Sequence, residues 1–154
     1  MNSRKSIDSF LNHKRLAVVG VSRNAKDFSR SLFRELQSRG YDLVPVNPNA
    51  EEIEGIPAVA SVKDASPAVE GALLMTESHV SGGVVRECYD AGIQDIWLYR
   101  AAGTGAVSRS ALDFCDEKQM NVVNGECPFM FLPQNGFPHN FHGFCRKMLG
   151  RLPQ

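Results

Sequence analysis

The sequence lacks the features that would place it on nucleic acid or at a membrane. Lys and Arg number 17 and Asp and Glu number 17, so the formal net charge is zero and no basic excess points to nucleic acid. No apolar run approaches the roughly 20 residues of a membrane span. The N-terminal stretch MNSRKSIDSFLNHKR also lacks the apolar core of a signal peptide. We therefore expect neither nucleic acid nor a membrane as a partner.

Paired cysteine motifs are also missing. Cys88, Cys115, Cys127 and Cys145 form no C-x-x-C motif, and their spacing resembles neither a disulfide framework nor a zinc site. We therefore expect a reduced, cytoplasmic protein. What is present is an ordinary globular composition: 154 residues, 43% of them hydrophobic and 22% charged, are enough for one domain with a buried core.

Apolar runs and helical patterns alternate about five times along the chain. The apolar runs predict buried strands, and they read LAVV, YDLVPVNP, GALLMT, DIWLY and NVVNG. Helices are predicted between them, with a short helix capped by Ser6 before the first strand and a final helix that carries Phe141 and Phe144. Short connections favour right-handed crossovers between parallel strands. The sequence thus predicts one doubly wound, Rossmann-like α/β domain: three layers, about five strands, a core at about 10–128 and an extension, 129–154, that packs on the core or a partner.

Three connections in this pattern are more specific. Asp27 or Ser29 is expected to cap the helix after the first strand, and Gly40 to end it. The segment IEGIPAVASVKDA predicts a loop with a short extended piece and one helical turn. The helix from Ser78 is expected to have one apolar face, formed by Val80, Val84, Val85, Cys88 and Tyr89.

The turn after the first strand lacks the glycines of a dinucleotide fingerprint. That fingerprint has three, and the stretch RLAVVGVSRN has only Gly20. Gly20 still permits a close backbone approach, Ser22 offers a hydroxyl and an amide, and Arg23 and Arg30 offer fork-shaped donors. With a helix start nearby, these groups suit a phosphate or diphosphate. A plain turn with solvated arginines fits the stretch equally well.

The second strand lacks the acidic residue of NAD-binding units. It ends in VNPN, and no carboxylate follows before Glu51. NAD-binding units normally place Asp or Glu there to bind the ribose hydroxyls. The missing acid and the missing glycines therefore argue against NAD. A ribose that carries a phosphate fits better, and both NADP and coenzyme A contain one.

Four motifs together resemble a known family. They are G-x-S, G-Y-x-x-x-P-V-N-P, A-G-I-x-x-x-W-L and, last in order, C-P, and the resemblance covers roughly Phe10 to Pro128. The chain resembles stand-alone CoA-binding domain proteins, which are similar to the CoA-binding domain of the succinyl-CoA synthetase alpha subunit. The resemblance implies coenzyme A or acyl-CoA as cofactor, with NADP less favoured. Because the chain has no room for a phosphohistidine domain or a nucleotide-grasp partner, we expect no synthetase chemistry from it alone.

The resemblance also implies a role for each loop at the strand ends. The first loop would bind the diphosphate through Gly20, Val21, Ser22 and Arg23, with Arg30 as a further candidate. The second loop would lie beside the adenosine with Val46, Asn47 and Pro48. The loops after the third and fourth strands would line the pantetheine channel with Thr76, Glu77, Ala101, Ala102 and Gly103. The last loop would form the floor with Asn124, Glu126, Cys127 and Pro128.

Candidates for catalysis each have a structural alternative. Cys127 is the best nucleophile candidate, but a small buried residue before a proline explains it as well. Glu77 and His79 could form a general acid–base pair, or His79 could simply start a helix. The motif H-x-x-H-x-x-C, formed by His139, His142 and Cys145, does not place three ligands on one helix face, so we expect no metal there.

Three classes of function remain open from the sequence. The preferred one is a non-catalytic CoA-binding module that acts alone, as a homodimer or with a partner enzyme. The second is an enzyme, either an NADP-linked oxidoreductase or a CoA-dependent transferase. The third is an oligomeric interaction protein with a vestigial pocket, in which Phe129, Phe131 and Phe137 form the dimer surface.

Overall fold

Five parallel strands form the central sheet of the computed structural model, which describes residues 2–100 and 103–132. The strands of this sheet are β1 (Arg15–Val19), β2 (Asp42–Val46), β5 (Gly71–Leu74), β6 (Asp95–Leu98) and β7 (Asn121–Asn124). A separate antiparallel hairpin consists of β3 (Glu52–Ile53) and β4 (Ile56–Pro57). The helices are α1 (Arg4–Leu11), α2 (Phe28–Ser38), α3 (Ser78–Asp90) and α4 (Arg109–Glu117). The predicted parallel α/β fold is confirmed.

The strand order creates one crevice in the sheet. The order is β2-β1-β5-β6-β7, and every neighbouring pair is parallel. The chain passes from β1 outward to β2 and then crosses back to β5 on the other side of β1. Connections therefore leave β1 and β5 in opposite directions, which opens a gap between the loops at their carboxyl ends.

Helices cover both faces because strand residues alternate between two apolar cores. Leu16 and Val18 of β1 point to the face covered by α1 and α2, whereas Ala17 and Val19 point to the face covered by α3 and α4. The first core centres on Trp97, whose indole N–H donates to the carbonyl of Glu126 at 2.8 Å. The sheet is therefore buried on both sides, which explains the continuous apolar runs of its strands.

The helix caps confirm one prediction and correct another. Asp27 caps α2, since its carboxylate accepts from the N–H of Ser29 at 2.9 Å. Ser3, not Ser6, caps α1, because the Ser3 hydroxyl accepts from the N–H of Ser6 at 3.0 Å. Ser6 lies within the first turn, so the predicted helix start was three residues late. Gly40 follows the end of α2 with φ +91°, as predicted.

The buried face of α3 differs from the predicted one. Val80 and Tyr89 are 42% and 36% exposed, and the buried residues are Ser81, Gly82, Val85 and Cys88. A Cβ at Gly82 would lie 2.4 Å from the Ser110 hydroxyl oxygen, so α4 packs against the small residues of α3. The close approach of α4 thus turns the apolar Val80 toward the sheet edge.

The structure describes the predicted loop between β2 and β5 but not the predicted final helix. The predicted loop between β2 and β5 contains the β3–β4 hairpin and a 3₁₀ turn at Val62–Asp64. The final helix, His139, His142 and Cys145 lie outside the described residues, as do Ala101 and Ala102. Among residues 2–100 and 103–132, no helix has the length and apolarity needed to cross a bilayer.

Candidate functional site

All five predicted loops meet at one edge of the sheet, because the strands are parallel. The crevice between β1 and β5 lies at this edge. Ligands of open α/β sheets bind outside the carboxyl ends of the strands at such a crevice. A larger cavity, about 630 Å³, lies at the opposite edge beside His13, Arg39 and Tyr41. It adjoins the starts of the strands, so we take the crevice as the candidate site.

Gly20 allows the first loop to pass directly against the end of β5. Its φ is +86°, and a Cβ there would lie 3.0 Å from backbone atoms of Met75 and Thr76. Its N–H donates to the carbonyl of Val46 at 3.0 Å, which also fixes the loop to the end of β2. One glycine therefore suffices in the first loop, since Gly20 is the one residue of that loop with a positive φ.

The loop after Gly20 is held by side chains of its own helix. The N–H of Ser22 donates to the Ser29 hydroxyl at 2.9 Å, and that hydroxyl donates to Asp27 at 2.8 Å. The Ser22 hydroxyl accepts from the N–H of Asn24 at 3.0 Å and keeps its own proton for another acceptor. The Ser22 amide and the start of α2 are thus engaged within the protein.

The groups that this loop leaves for a ligand are different ones. The Arg23 side chain is exposed. The backbone N–H of Arg23 has no hydrogen-bond acceptor within residues 2–100 and 103–132, whereas Val21 is buried and offers no exposed donor. Together with the Ser22 hydroxyl, these donors suit an anion. They replace the Ser22 amide that the sequence suggested.

Arg30 lies beneath the loop rather than at its open side. It is only 9% exposed, and its guanidinium donates to the carbonyls of Ser22 at 3.3 Å and Arg23 at 3.1 Å. It also forms a close ion pair with Glu54 from the β3–β4 hairpin. Hydrogen bonding from Arg30 is the main reason that the pKa of Glu54 lies below its usual value. Arg30 therefore positions the loop, and Glu54 is a supporting residue that the sequence analysis missed.

The second loop joins the first and borders a cavity of about 300 Å³. The Asn47 side-chain amide donates to the carbonyl of Val21 at 2.9 Å, and its oxygen accepts from the N–H of Asn49 at 2.8 Å. Val46 and Pro48 line the cavity on this side. The opposite wall comes from α3, where the exposed Val80 faces the cavity. The walls are mainly apolar, with few polar groups.

The third and fourth loops contact each other. The Thr76 hydroxyl lies 2.8 Å from the Ser81 hydroxyl. Thr104, the residue after Gly103, has its hydroxyl 3.4 Å from the Ser78 hydroxyl. Glu77 and His79 form an ion pair at 3.4 Å, but their side chains are 83% and 73% exposed. Such exposure leaves this pair in water, without the enclosure that a general acid–base pair exploits.

The last loop is fixed by Asn2, a residue that the sequence analysis did not select. The Asn2 amide donates to the carbonyl of Asn124 at 2.7 Å and to the carboxylate of Glu126 at 3.0 Å. The Asn2 oxygen accepts from the N–H of Asn124 at 2.6 Å. Burial raises the pKa of Glu126, and Asn2 and Arg100 oppose that rise. No local pattern could have indicated this contact, because it spans 122 positions.

Cys127 and the aromatic residues after it are buried in the core. Cys127 is 1% exposed and precedes a 3₁₀ turn at Pro128–Met130. Phe129 and Phe131 are 2% and 9% exposed and belong to the core that α1 and α2 cover. These two rings are therefore used within the chain and are not available for the predicted dimer surface. Phe137 lies outside the described residues.

A metal centre is not evident at this edge. Within the described ranges, no three His, Cys, Asp or Glu side chains are grouped so that they could hold a metal ion.

The sequence-predicted residues that the structure brings together are those of the first, second and third loops. Five of the predicted site residues are buried beneath the surface: Val21, Arg30, Val46, Cys127 and Pro128.

Curated proteins resemble the chain over much of its length. The uncharacterised protein YneT of Bacillus subtilis is 30% identical over 114 residues, which cover 74% of this chain and 82% of YneT. The alpha subunit of an ADP-forming acetate–CoA ligase II from Pyrococcus furiosus is 28% identical over 96 residues. That alignment covers 62% of this chain but only 21% of the subunit.

Solved structures and a family model extend this comparison. A conserved hypothetical protein from Pyrococcus furiosus superposes with a TM-score of 0.67 at 28% identity and covers 74% of this chain and 95% of its own. A hypothetical protein from Pyrococcus horikoshii superposes with a TM-score of 0.75 over 97% of this chain and 94% of its own, and at 21% identity it shows the fold alone. The model of the CoA-binding domain matches residues 14–133. The chain therefore belongs to the CoA-binding domain family.

Proposed function

We propose that the chain binds coenzyme A or an acyl-CoA at the β1–β5 crevice as a non-catalytic module. The observation that carries the proposal is the adjacency of two different environments at this crevice. The Gly20 loop offers donors for an anion, and the cavity of about 300 Å³ beside it offers mainly apolar walls. A nucleotide with a diphosphate needs both kinds of surface next to each other.

The diphosphate would lie on the first loop. Its donors would be the exposed guanidinium of Arg23, the backbone N–H of Arg23 and the Ser22 hydroxyl. Hydrogen bonds from a charged donor to a phosphate are about twice as strong as neutral ones. Gly20 permits the close approach, and Arg30 holds the loop from below through its carbonyls.

The adenosine and the pantetheine arm would extend from the diphosphate in two directions. The adenosine would enter the cavity lined by Val46, Asn47 and Pro48. The arm would run along the strand ends past Thr76 and Gly103 toward the loop that contains Asn124 and Glu126. The relative from Pyrococcus furiosus is a subunit of an acetate–CoA ligase, which supports coenzyme A as the ligand.

A non-catalytic role is favoured by the positions of the candidate reactive groups. Cys127 is buried, so a thioester would have to enter the core to reach its sulfur. Glu77 and His79 face solvent. A CoA-dependent transferase would need one of these groups in contact with the acyl carbon, and neither position favours that contact.

Titration calorimetry with CoA, NADP and NAD tests the proposal. We expect heat from CoA, and a dissociation constant that rises about 10- to 150-fold in Arg23→Ala, since a charged hydrogen bond contributes about 1.5–3 kcal/mol. Lys14→Ala is the matched control, because Lys14 is an exposed cation at the opposite edge of the sheet. Heat from NADP without heat from CoA would replace CoA by NADP as the ligand. Equal weakening by both substitutions would show that the first loop is not the site.

A further inference from the structure

The cavity beside the Gly20 loop contains one ionisable side chain. Of the described residues that line it, only Glu87 of α3 carries a charge, and no lysine or arginine is among them. Lys63 directly follows Val62 of the cavity wall, but its ammonium pairs with Asp90 at 3.6 Å. The carboxylate of Glu87 therefore faces an apolar cavity without a cationic partner in its lining.

A hydrogen-bond chain fixes the orientation of this carboxylate. The N–H of Lys63 donates to the Ser61 hydroxyl at 3.3 Å, and that hydroxyl donates to Oε2 of Glu87 at 2.7 Å. Ser61 itself is held by a capping box with Asp64. The other oxygen, Oε1, has no hydrogen-bond donor within the described part of the chain. It can therefore accept one hydrogen bond from a ligand.

This arrangement selects which part of a nucleotide can enter. A phosphate would meet an unneutralised carboxylate in an apolar enclosure, and like charges repel strongly there. A neutral group that donates a hydrogen bond is favoured instead. In a purine nucleotide, the 6-amino group of adenine is such a donor. Hypoxanthine and guanine carry an acceptor oxygen at position 6, and their nearest donor is the N–H at N1. A carboxylate that faces position 6 therefore accepts a hydrogen bond from adenine but meets an oxygen in the 6-oxopurines.

We propose that Glu87 accepts a hydrogen bond from the 6-amino group of adenine and thereby selects adenine over 6-oxopurines. The inference rests on the proposed function, because it assigns one residue of the same site. Glu87 is a specificity-determining residue here and takes no part in a reaction. Sites built to hydrogen-bond one group discriminate strongly against a ligand that lacks it.

Binding of CoA and of its deaminated analogue, in which hypoxanthine replaces adenine, tests the inference by calorimetry. The unmodified protein should prefer CoA by about 10- to 100-fold. Glu87→Gln should bring this ratio close to one or reverse it, because the carboxamide can donate to a 6-oxo group. Glu117→Gln is the matched control: it makes the same substitution at an exposed residue of α4 that does not line the cavity, and it should keep the ratio.

The outcomes separate the two proposals. If the unmodified protein binds CoA but the ratio is the same within twofold in Glu87→Gln, the role of Glu87 is wrong and the proposed function stands. If the unmodified protein binds neither coenzyme, the proposed function is wrong, and the role of Glu87 with it. Circular dichroism of both variants shows whether a lost preference reflects unfolding.

Discussion

Replacement of Gly20 by alanine tests the geometry on which the site depends. Gly20 has φ +86°, and its added Cβ would lie 3.0 Å from the carbonyl carbon and oxygen of Met75 and from the nitrogen of Thr76. All three neighbours are backbone atoms at the end of β5, so no side chain can rotate away to make room. The first loop must therefore move away from β5, or the end of β5 must move.

Gly40→Ala separates this contact from the cost of the backbone conformation. Gly40 has nearly the same φ, +91°, but a Cβ there would have no atom within 4 Å. An alanine in the left-handed region costs about 1–2 kcal/mol, partly offset by about 0.4–1 kcal/mol from the less flexible unfolded chain. We expect a loss of about 1 kcal/mol for Gly40→Ala. Overpacking adds about 1–3 kcal/mol, so Gly20→Ala should lose about 2–4 kcal/mol.

Urea unfolding followed by circular dichroism measures both losses, and calorimetry measures CoA binding to each variant. We expect Gly20→Ala to weaken binding at least about tenfold, because its loop is displaced, and Gly40→Ala to bind normally. Equal destabilisation of the two variants, with equal affinity for CoA, would show that the close approach of the first loop to β5 is unimportant.

Three further predictions concern charge, the N-terminus and the thiols. Hydrogen bonding from Arg30 lowers the pKa of Glu54 in the folded chain, and backbone N–H groups lower the pKa of Glu70. As the pH falls, the unfolded chain therefore takes up protons at these two carboxylates before the folded chain does. Their contribution to stability is present above about pH 4.5 and is lost as the pH falls through the folded values, which urea unfolding between pH 7 and 3 will detect. Asn2→Ala should lose about 1–3 kcal/mol, because it leaves polar groups of the last loop unpaired, and unchanged unfolding would contradict this. Burial raises the pKa of Cys88 to about 12 and of Cys115 to about 11, so both thiols should resist iodoacetamide at pH 8 until urea unfolds the chain.

The sheet was predictable because its signal is local. The run from Leu16 to Val19 is apolar on both faces of β1, and such a run has few alternatives to a buried strand. The end of each strand then follows from a glycine, a proline or a polar residue. The crossover rule predicts that the strands are parallel, but it does not fix their order. The order, and with it the position of the crevice, is known from the structure.

The helix faces were less predictable, because they depend on neighbours distant in sequence. The apolar spacing of α3 indicated Val80 and Tyr89 as buried residues, yet both are exposed. The decisive residue is Gly82, whose missing side chain lets Ser110 of α4 approach. A hydrophobicity pattern gives such a glycine no weight, so it cannot indicate which face a neighbouring helix will cover.

The supporting residues of the site were not predictable for a related reason. Glu54 contacts Arg30 from 24 positions away, and Ser61 contacts Glu87 from 26 positions away. No local pattern indicates that these residues meet, because such contacts depend on the fold and on the direction of the side chains. The loop motifs predict a site at the strand ends, and the structure was needed to show that Arg30 supports the first loop from below.

The zero net charge of the chain does not argue against a ligand with several phosphates, because charge is unevenly distributed. Residues 22–34, the first loop and most of α2, contain four basic residues and one acidic residue, a local net charge of +3. Glu54 reduces this to +2 but holds Arg30 beneath the loop. Among the described residues, the cavity next to it has only the carboxylate of Glu87 as a charged group. In the proposed complex, a positive loop beside a negative, mainly apolar cavity would orient the nucleotide, since its phosphates are attracted to the first and repelled from the second.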